Sequence, residues 1–250
     1  MQKLNVLYED NHVIVVEKPV NIPSQQDKTG DEDMLTIIKK YLKEKYNKPG
    51  DAYLGLVHRL DRPTGGVMVF AKTSKAASRL SECVRNKEFK KTYLVIADGK
   101  FEKTEGILEN YLQKNERTNT SKIVEEASKN SKYAKLEYEV LKYNEETNLS
   151  LVKVRLYTGR HHQIRVQFAG IGHSLYGDQK YGTRGRGKQI CLWAYELTFK
   201  HPITKEELTF NVLPKKEGSW IILEDIKTPR WLQVIFWVFP IQLQLHTTKK

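Results

Sequence analysis

Cysteine is scarce: the 250 residues hold two, Cys83 and Cys191. That excludes a disulfide framework, and with no Cys/His cluster at zinc spacing no metal is expected. Acidic residues are outnumbered, 30 Asp+Glu against 42 Lys+Arg. The net charge of +12 and the pI near 9.4 favour a polyanionic partner, nucleic acid being the commonest. A basic but unspecialised enzyme is the plainer alternative. Long apolar runs are also missing. The opening "MQKLNVLYEDNHVIVVEK" interrupts its apolar residues with charges, so no signal peptide is read there and a cytoplasmic protein is expected. Trp231–Leu245, "WLQVIFWVFPIQLQL", is strongly apolar but short for a membrane span, and Pro240 and glutamines break it. A terminal strand or sticky tail is expected instead, with no membrane partner.

What is present builds a core. Hydrophobic residues make up 39% of the chain, enough for one large domain or two small ones. Val13–Glu17 reads as a strand closed by Lys18-Pro19. Met34–Tyr46 is helical, with Leu35, Ile38, Tyr41 and Leu42 on one face. Val67–Ala71 suits a buried strand, and Ser74–Arg85 a helix capped by Ser74. Lys91–Ala97 is another strand. Phe101–Lys132 is polar and charged, with weak strands at best, and is expected to be an insertion or flexible hairpin. Lys135–Lys142 and Asn148–Tyr157 alternate as a hairpin, Arg160–Ala169 turns helical, and Ile190–Val212 forms a hairpin turning at His201–Lys205. Strands outnumber helices. The expected class is α+β: a mainly antiparallel mixed sheet with flanking helices. Residues 1–228 are expected to form one domain, with 229–250 as an apolar tail of unassigned role.

Two clusters carry chemistry. In "VHRLDRPTGGVMVFAKT" (Val57–Thr73) Asp61 lies between Arg59 and Arg62, at the lip of an apolar strand. A carboxylate so placed serves as nucleophile or base, or as half of a structural salt bridge. Gly65 and Gly66 permit a tight turn or the close approach of another group. In "YTGRHHQIRVQF" (Tyr157–Phe168) Arg160 is expected in the first helical turn, beside free backbone N–H groups that suit a phosphate. Arg165 is expected to point inward, where a guanidinium needs an anion, and Asp61 is the candidate. His161 and His162 suggest a metal site, but adjacent helical residues do not share a face. Tyr93 lies in an apolar strand, as a core residue or as a platform for a planar base. The glycine-rich loop Gln179–Lys188 carries four cations, as a solvated loop or a phosphate contact.

Together these stretches resemble the RluA-type family of pseudouridine synthases. Its nucleophile motif, roughly His-Arg-Leu-Asp-x-x-Thr-Ser-Gly before an apolar run and Ala-Lys, stands here as "HRLDRPTGGVMVFAK", with Gly65 where serine is usual. "VLYEDNHVIVVEKP", "KTYLVIADG", "GRHHQIRV", "GDQKYG" and "CLWAYELTFKHP" match further motifs in the expected order, with Trp193 where histidine is frequent. The likeness covers about Leu4 to Lys216, and ordered motifs are stronger evidence than any one alone.

The resemblance implies a mixed sheet with a central catalytic cleft, an RNA substrate (ribosomal or transfer RNA) and no cofactor; the sequence does not establish the oligomeric state, and a monomer is the expectation. It implies Asp61 as catalytic carboxylate, Tyr93 stacked on the uracil and assisting proton transfer, and Arg165 orienting Asp61. It also implies Arg59 filling the space of the flipped uridine and Leu192 in the apolar floor. Arg160 and Arg62 are candidate phosphate contacts. The reaction breaks the glycosidic bond, turns the base and rejoins it at carbon 5, without redox change. Flipping costs a few kcal/mol, which stacking on Tyr93 offsets by about 1–3 kcal/mol. Many relatives carry a small RNA-binding module before the catalytic domain. The chain starts almost directly with the catalytic pattern, so Phe101–Lys132 and Gln179–Lys188 are expected to select the substrate. Two rival readings are a non-catalytic RNA-binding protein and a hydrolase pairing Asp61 with Asp178.

Overall fold

The computed structural model describes residues 4–223 apart from 48, 51, 126 and 184. The Trp231–Leu245 segment and the boundary expected at residue 228 lie outside the described residues. The strands are β1 (Asn5–Glu9), β2 (Val13–Lys18), β3 (Gly55–Leu56), β4 (Gly65–Ala71), β5 (Lys90–Asp98), β6 (Glu105–Asn115), β7 (Thr120–Val124), β8 (Ser131–Asn144), β9 (Leu149–Leu156), β10 (Leu192–Lys200) and β11 (Glu207–Asn211). The helices are α1 (Met34–Lys45), α2 (Ser74–Arg85) and α3 (Gln163–Gly170). The strands form one sheet in the order β1-β2-β4-β10-β5-β9-β8-β6-β7, with β11 beside β10 and β3 beside β4. β4 and β10 run parallel, and the other pairs are antiparallel. This is the α+β, antiparallel-rich mixed sheet that the alternation implied.

Side-chain alternation divides the core between the two faces of the sheet. Ile14, Val16, Met68, Phe70, Val95 and Val152 pack with Ile38 and Leu42 of α1 and Ile164 and Phe168 of α3. Val13, Val15, Val67 and Val69 point the other way, onto Ala76 and Leu80 of α2 and Phe199. β4 is buried along its whole length because both faces are covered.

Three expectations need correction. Thr73, not Ser74, caps α2, its hydroxyl accepting from the Ala76 N–H. The polar segment after Phe101 holds regular strands, β6 and β7, paired from Tyr111–Val124 to Asn115–Thr120. Most of their residues are partly or fully exposed, so the sequence carries little apolar alternation there. The helix expected from Arg160 starts at Gln163, because His162 adopts a left-handed conformation (φ 52°) that a helix cannot continue through.

The first strand is clasped to its neighbours by one carboxylate. Glu9 accepts from Lys72 (2.6 Å), Lys45 (2.7 Å), Tyr46 (2.7 Å) and Tyr41 (3.0 Å). Burial alone would raise its pKa, but the two ammonium groups and two hydroxyls outweigh burial and lower it to about 2. A lowered carboxylate pKa contributes stability that is complete above the unfolded value and is lost as pH falls toward the folded one. Acid titration of the wild type should therefore show a loss on the order of 3 kcal/mol between about pH 4.5 and 2 that Glu9→Gln lacks. Identical acid limbs for the two proteins, measured by urea unfolding across that range, would remove Glu9 from this role.

Candidate active site

The loop His58–Thr64 carries Asp61 and is held at almost every residue. Buried His58 accepts the Val69 N–H on Nε2 (3.1 Å), tying the loop to β4. Ser24 donates to the Leu60 carbonyl (2.8 Å) and accepts the Leu60 N–H (3.2 Å). The Thr64 N–H closes a turn on the Asp61 carbonyl (2.9 Å), and Gln189 donates to the Pro63 carbonyl (2.8 Å). Beneath the turn lies Lys18, fully buried, its ammonium donating to the carbonyls of Thr64 (2.7 Å), Pro19 (2.9 Å) and Arg62 (3.0 Å). The backbone is thus fixed while the Asp61 side chain stays 32% exposed and open to a substrate.

Arg165 lies on α3, which is buried on all sides from Gln163 to Phe168. Its expected partner was Asp61, but the tight pair is with Asp178: Nε and Nη2 donate to the two carboxylate oxygens at 2.8 and 2.6 Å. Nη1 is left facing Asp61 Oδ2 at 3.9 Å. The Tyr181 ring covers the guanidinium, 5.2 Å from centroid to Cζ. Desolvation opposes the charge on Arg165, but the Asp178 bonds outweigh it and hold the guanidinium protonated. Asp178 is spent on this pair and on the N–H groups of Lys180 (2.8 Å) and Tyr181 (3.2 Å). It is 2% exposed, so it is no second carboxylate for a hydrolase.

Tyr93 is buried on β5, and burial, reinforced by the Asp61 charge, raises its hydroxyl pKa well above the ordinary value. With Leu192 and Asp61 it lines a cleft of about 620 Å³. Asp61 is the single carboxylate in that lining, against Arg59, Arg85, Lys87, Lys91, Arg160 and Arg165. A second lobe of about 510 Å³ opens on the other side of Asp61 and shares Arg59, Leu60, His161, His162 and Arg165 with the first. Arg59 is exposed between the lobes. Lys91 is less accommodated: burial pulls its pKa down.

Three candidate contacts sit differently from expectation. Arg160 precedes the helix and donates from Nε to the Tyr133 carbonyl (2.8 Å), so it does not stand among free N–H groups of a first turn. Arg62 turns away from Asp61 to an exposed cluster with Asp31, Asp27 and Thr29. In the glycine-rich loop, Arg186 pairs with Asp98 (3.1 Å), while Lys180 and Lys188 line the second lobe. His161 and His162, expected on different helix faces, lie before the helix and stack with centroids 3.8 Å apart. Sequence reasoning missed Lys18, Ser24 and Tyr181 as supports of the site. The only signal for Lys18 was its place at the end of an apolar strand.

The site thus sets a supported acid at the junction of two cation-lined lobes, with an aromatic ring and an apolar side chain beside it. Residues 12–170 match the family described as RNA pseudouridylate synthase. An uncharacterized RNA pseudouridine synthase of Aquifex aeolicus is 34% identical over 84% of this chain and 69% of its own length. The dual-specificity RNA pseudouridine synthase RluA of Haemophilus influenzae is 31% identical over 83% of this chain and 92% of its own. Ribosomal large subunit pseudouridine synthase D of Vibrio cholerae is 33% identical over 91% and 73%. The human RNA pseudouridylate synthase domain containing 4 shares the fold, with TM-score 0.70, 23% identity, and coverage of 84% of this chain and 89% of that one. The chain belongs to the RNA pseudouridylate synthase family and is of the RluA type.

Two departures from the family pattern prove to be neighbours. Gly65 pairs with Trp193 across the parallel β4–β10 junction. A Cβ at Gly65 would come within 2.2 Å of the indole ring. At Gly66 (φ 121°) a Cβ would come within 2.1 Å of the Ala194 carbonyl oxygen. Trp193 thus occupies the space a serine at 65 would need, and its Nε1 donates to the Val212 carbonyl (2.7 Å). Gly65→Ser should destabilise by about 1–3 kcal/mol through overpacking. Combined with Trp193→His, it should cost less than the sum of the singles, with a coupling of about 0.5–3 kcal/mol in urea unfolding. Additivity of the two changes would show that they are independent.

Proposed function

We infer that Asp61 is the carboxylate that carries the uridine isomerisation of this RNA pseudouridine synthase. The observation that carries the reading is the place of Asp61: the one acid in the lining of the first lobe, accessible, on a supported turn and among cations. Tyr93 and Leu192 are placed to receive the extruded uracil as platform and floor. Held in this pocket, the cut base can rotate and present carbon 5 to the sugar without leaving. Arg165 orients Asp61 from below through Nη1, its other nitrogens being fixed by Asp178. Arg59 projects between the lobes, where it can take the stacking space vacated by the nucleotide. Arg85, Lys87, Lys180 and Lys188 supply phosphate contacts along the two openings. No step calls for a cofactor.

Ribosomal RNA is the proposed substrate, since relatives of this chain are named for the ribosomal large subunit. An enzyme with that substrate would work in the cytoplasm. Among the described residues no helix is long and apolar enough to cross a membrane.

The test is tritium release from ribosomal and transfer RNA labelled at uracil carbon 5. Wild type should release tritium from ribosomal RNA and Asp61→Asn should release none, while both bind the RNA with the same steep salt dependence. Release by Asp61→Asn would overturn the role of Asp61. Release from transfer RNA alone would overturn the choice of substrate.

A further inference from the structure

His162 faces the same carboxylate oxygen as Arg165 does, with Nε2 at 3.8 Å from Asp61 Oδ2. Its other nitrogen, Nδ1, is 2.8 Å from the Tyr181 hydroxyl. That hydroxyl already accepts the backbone N–H of Ser121 at 2.6 Å. A phenol has one proton to give, and among the described residues His162 Nδ1 is the only acceptor within its reach. Tyr181 therefore donates to Nδ1, and the imidazole proton resides on Nε2. The opposite tautomer would leave the Tyr181 proton without a partner among the described residues and aim a nitrogen lone pair at a carboxylate. The ring is neutral: burial, followed by the charge of Arg165, lowers its pKa to about 2.

The neighbouring ring is set the other way. Ser121 Oγ donates to the His161 carbonyl (2.9 Å) and so receives His161 Nδ1–H (3.0 Å). One residue of β7 thus fixes two stacked histidines in different tautomers. The left-handed backbone at His162 is the conformation that brings the ring under Asp61, and strained backbone held by several contacts is common at functional sites.

We propose that His162 is a positioning residue for Asp61: its Nε2–H, made the donor by the Ser121–Tyr181 relay, takes up the carboxylate oxygen when the flipped nucleotide seats and the 3.8 Å gap closes. Asp61 would then be held from two sides, by Arg165 Nη1 and His162 Nε2, with its second oxygen free for the substrate. The proposal rests on Asp61 being the reacting carboxylate.

Imidazole nitrogen shifts of the 15N-labelled wild type, assigned through backbone correlations, report the tautomers without any activity. His162 should be the Nε2–H form and His161 the Nδ1–H form, and Tyr181→Phe should shift His162 toward a mixture. Kinetics supply the second arm. Gln places an amide N–H near the Nε2 position but tolerates the left-handed backbone poorly. Asn has the opposite properties. A donor role predicts that His162→Asn and Tyr181→Phe lower kcat about tenfold to hundredfold with KM little changed, and that His162→Gln recovers most of it. An Nδ1–H or doubly protonated His162 in the wild type would overturn the proposal. So would a His162→Asn enzyme at least as fast as His162→Gln, which would leave only a backbone role. Activity persisting in Asp61→Asn would remove the proposal together with the reading beneath it, while the tautomers would still read as predicted.

Discussion

A buried ammonium under the Asp61 turn is the contact on which the site depends. Lys18 ends β2 opposite Gly66 in the β2–β4 register, so the sheet delivers it to the underside of the loop. No carboxylate binds it directly. Three carbonyls do, and three acceptors match the three N–H groups of the charged form. Burial, opposed only in part by the nearby Asp61 charge, brings the Lys18 pKa down to about 7. A neutral amine would leave one of the carbonyls without a donor, which is costly in a buried place. The turn geometry and the charge of Lys18 therefore sustain each other, and the negative charge of Asp61 supports both. The fixed position of the turn that carries Asp61 thus follows from the end of a strand, not from the loop itself.

The second constraint is how Arg165 divides its donors. A guanidinium locked in a two-point pair with Asp61 would occupy both of its carboxylate oxygens. Here the two-point pair is made with Asp178, a residue with no exposure to the cleft, and only Nη1 addresses Asp61. Buried ion pairs gain little net stability over apolar packing. What this pair supplies is a cation whose direction is set before substrate arrives, the kind of preorganisation that favours charge stabilisation in a closed site.

Much of this was legible in the sequence, and the remainder was hidden for identifiable reasons. β2, β4, β5 and β10 announce themselves because their inward positions are apolar, and the turn before β4 because Pro63, Gly65 and Gly66 punctuate it. Asp61, Tyr93 and Arg165 were found because they lie in motifs. The Asp178 partnership was not, since it depends on the path of a loop that returns thirteen residues later in the chain. β6 and β7 were read only as an insertion or flexible hairpin with weak strands, because an edge of the sheet with water on much of its surface needs no hydrophobic period. Arg160 was misplaced because the helix was started three residues early. The true start is organised by Gln163, whose side chain accepts from the Arg160 N–H and from Thr158.

The β6–β7 hairpin, expected from the sequence only as a polar insertion or flexible hairpin, reaches both the second lobe and the wall behind Asp61. Lys114 and Asn119, in β6 and the following turn, line the second lobe, and Lys180 is tied to the Asn119 carbonyl at 2.8 Å. Two residues along, Ser121 contacts Tyr181 and His161 in the wall behind Asp61. An RNA backbone drawn to the cations of the second lobe would therefore press on the strand that sets the histidine rings. In this chain the cations of the second lobe and Asp61 are not separate features: one hairpin reaches both, through Lys114 and Asn119 at the lobe and through Ser121 at the wall.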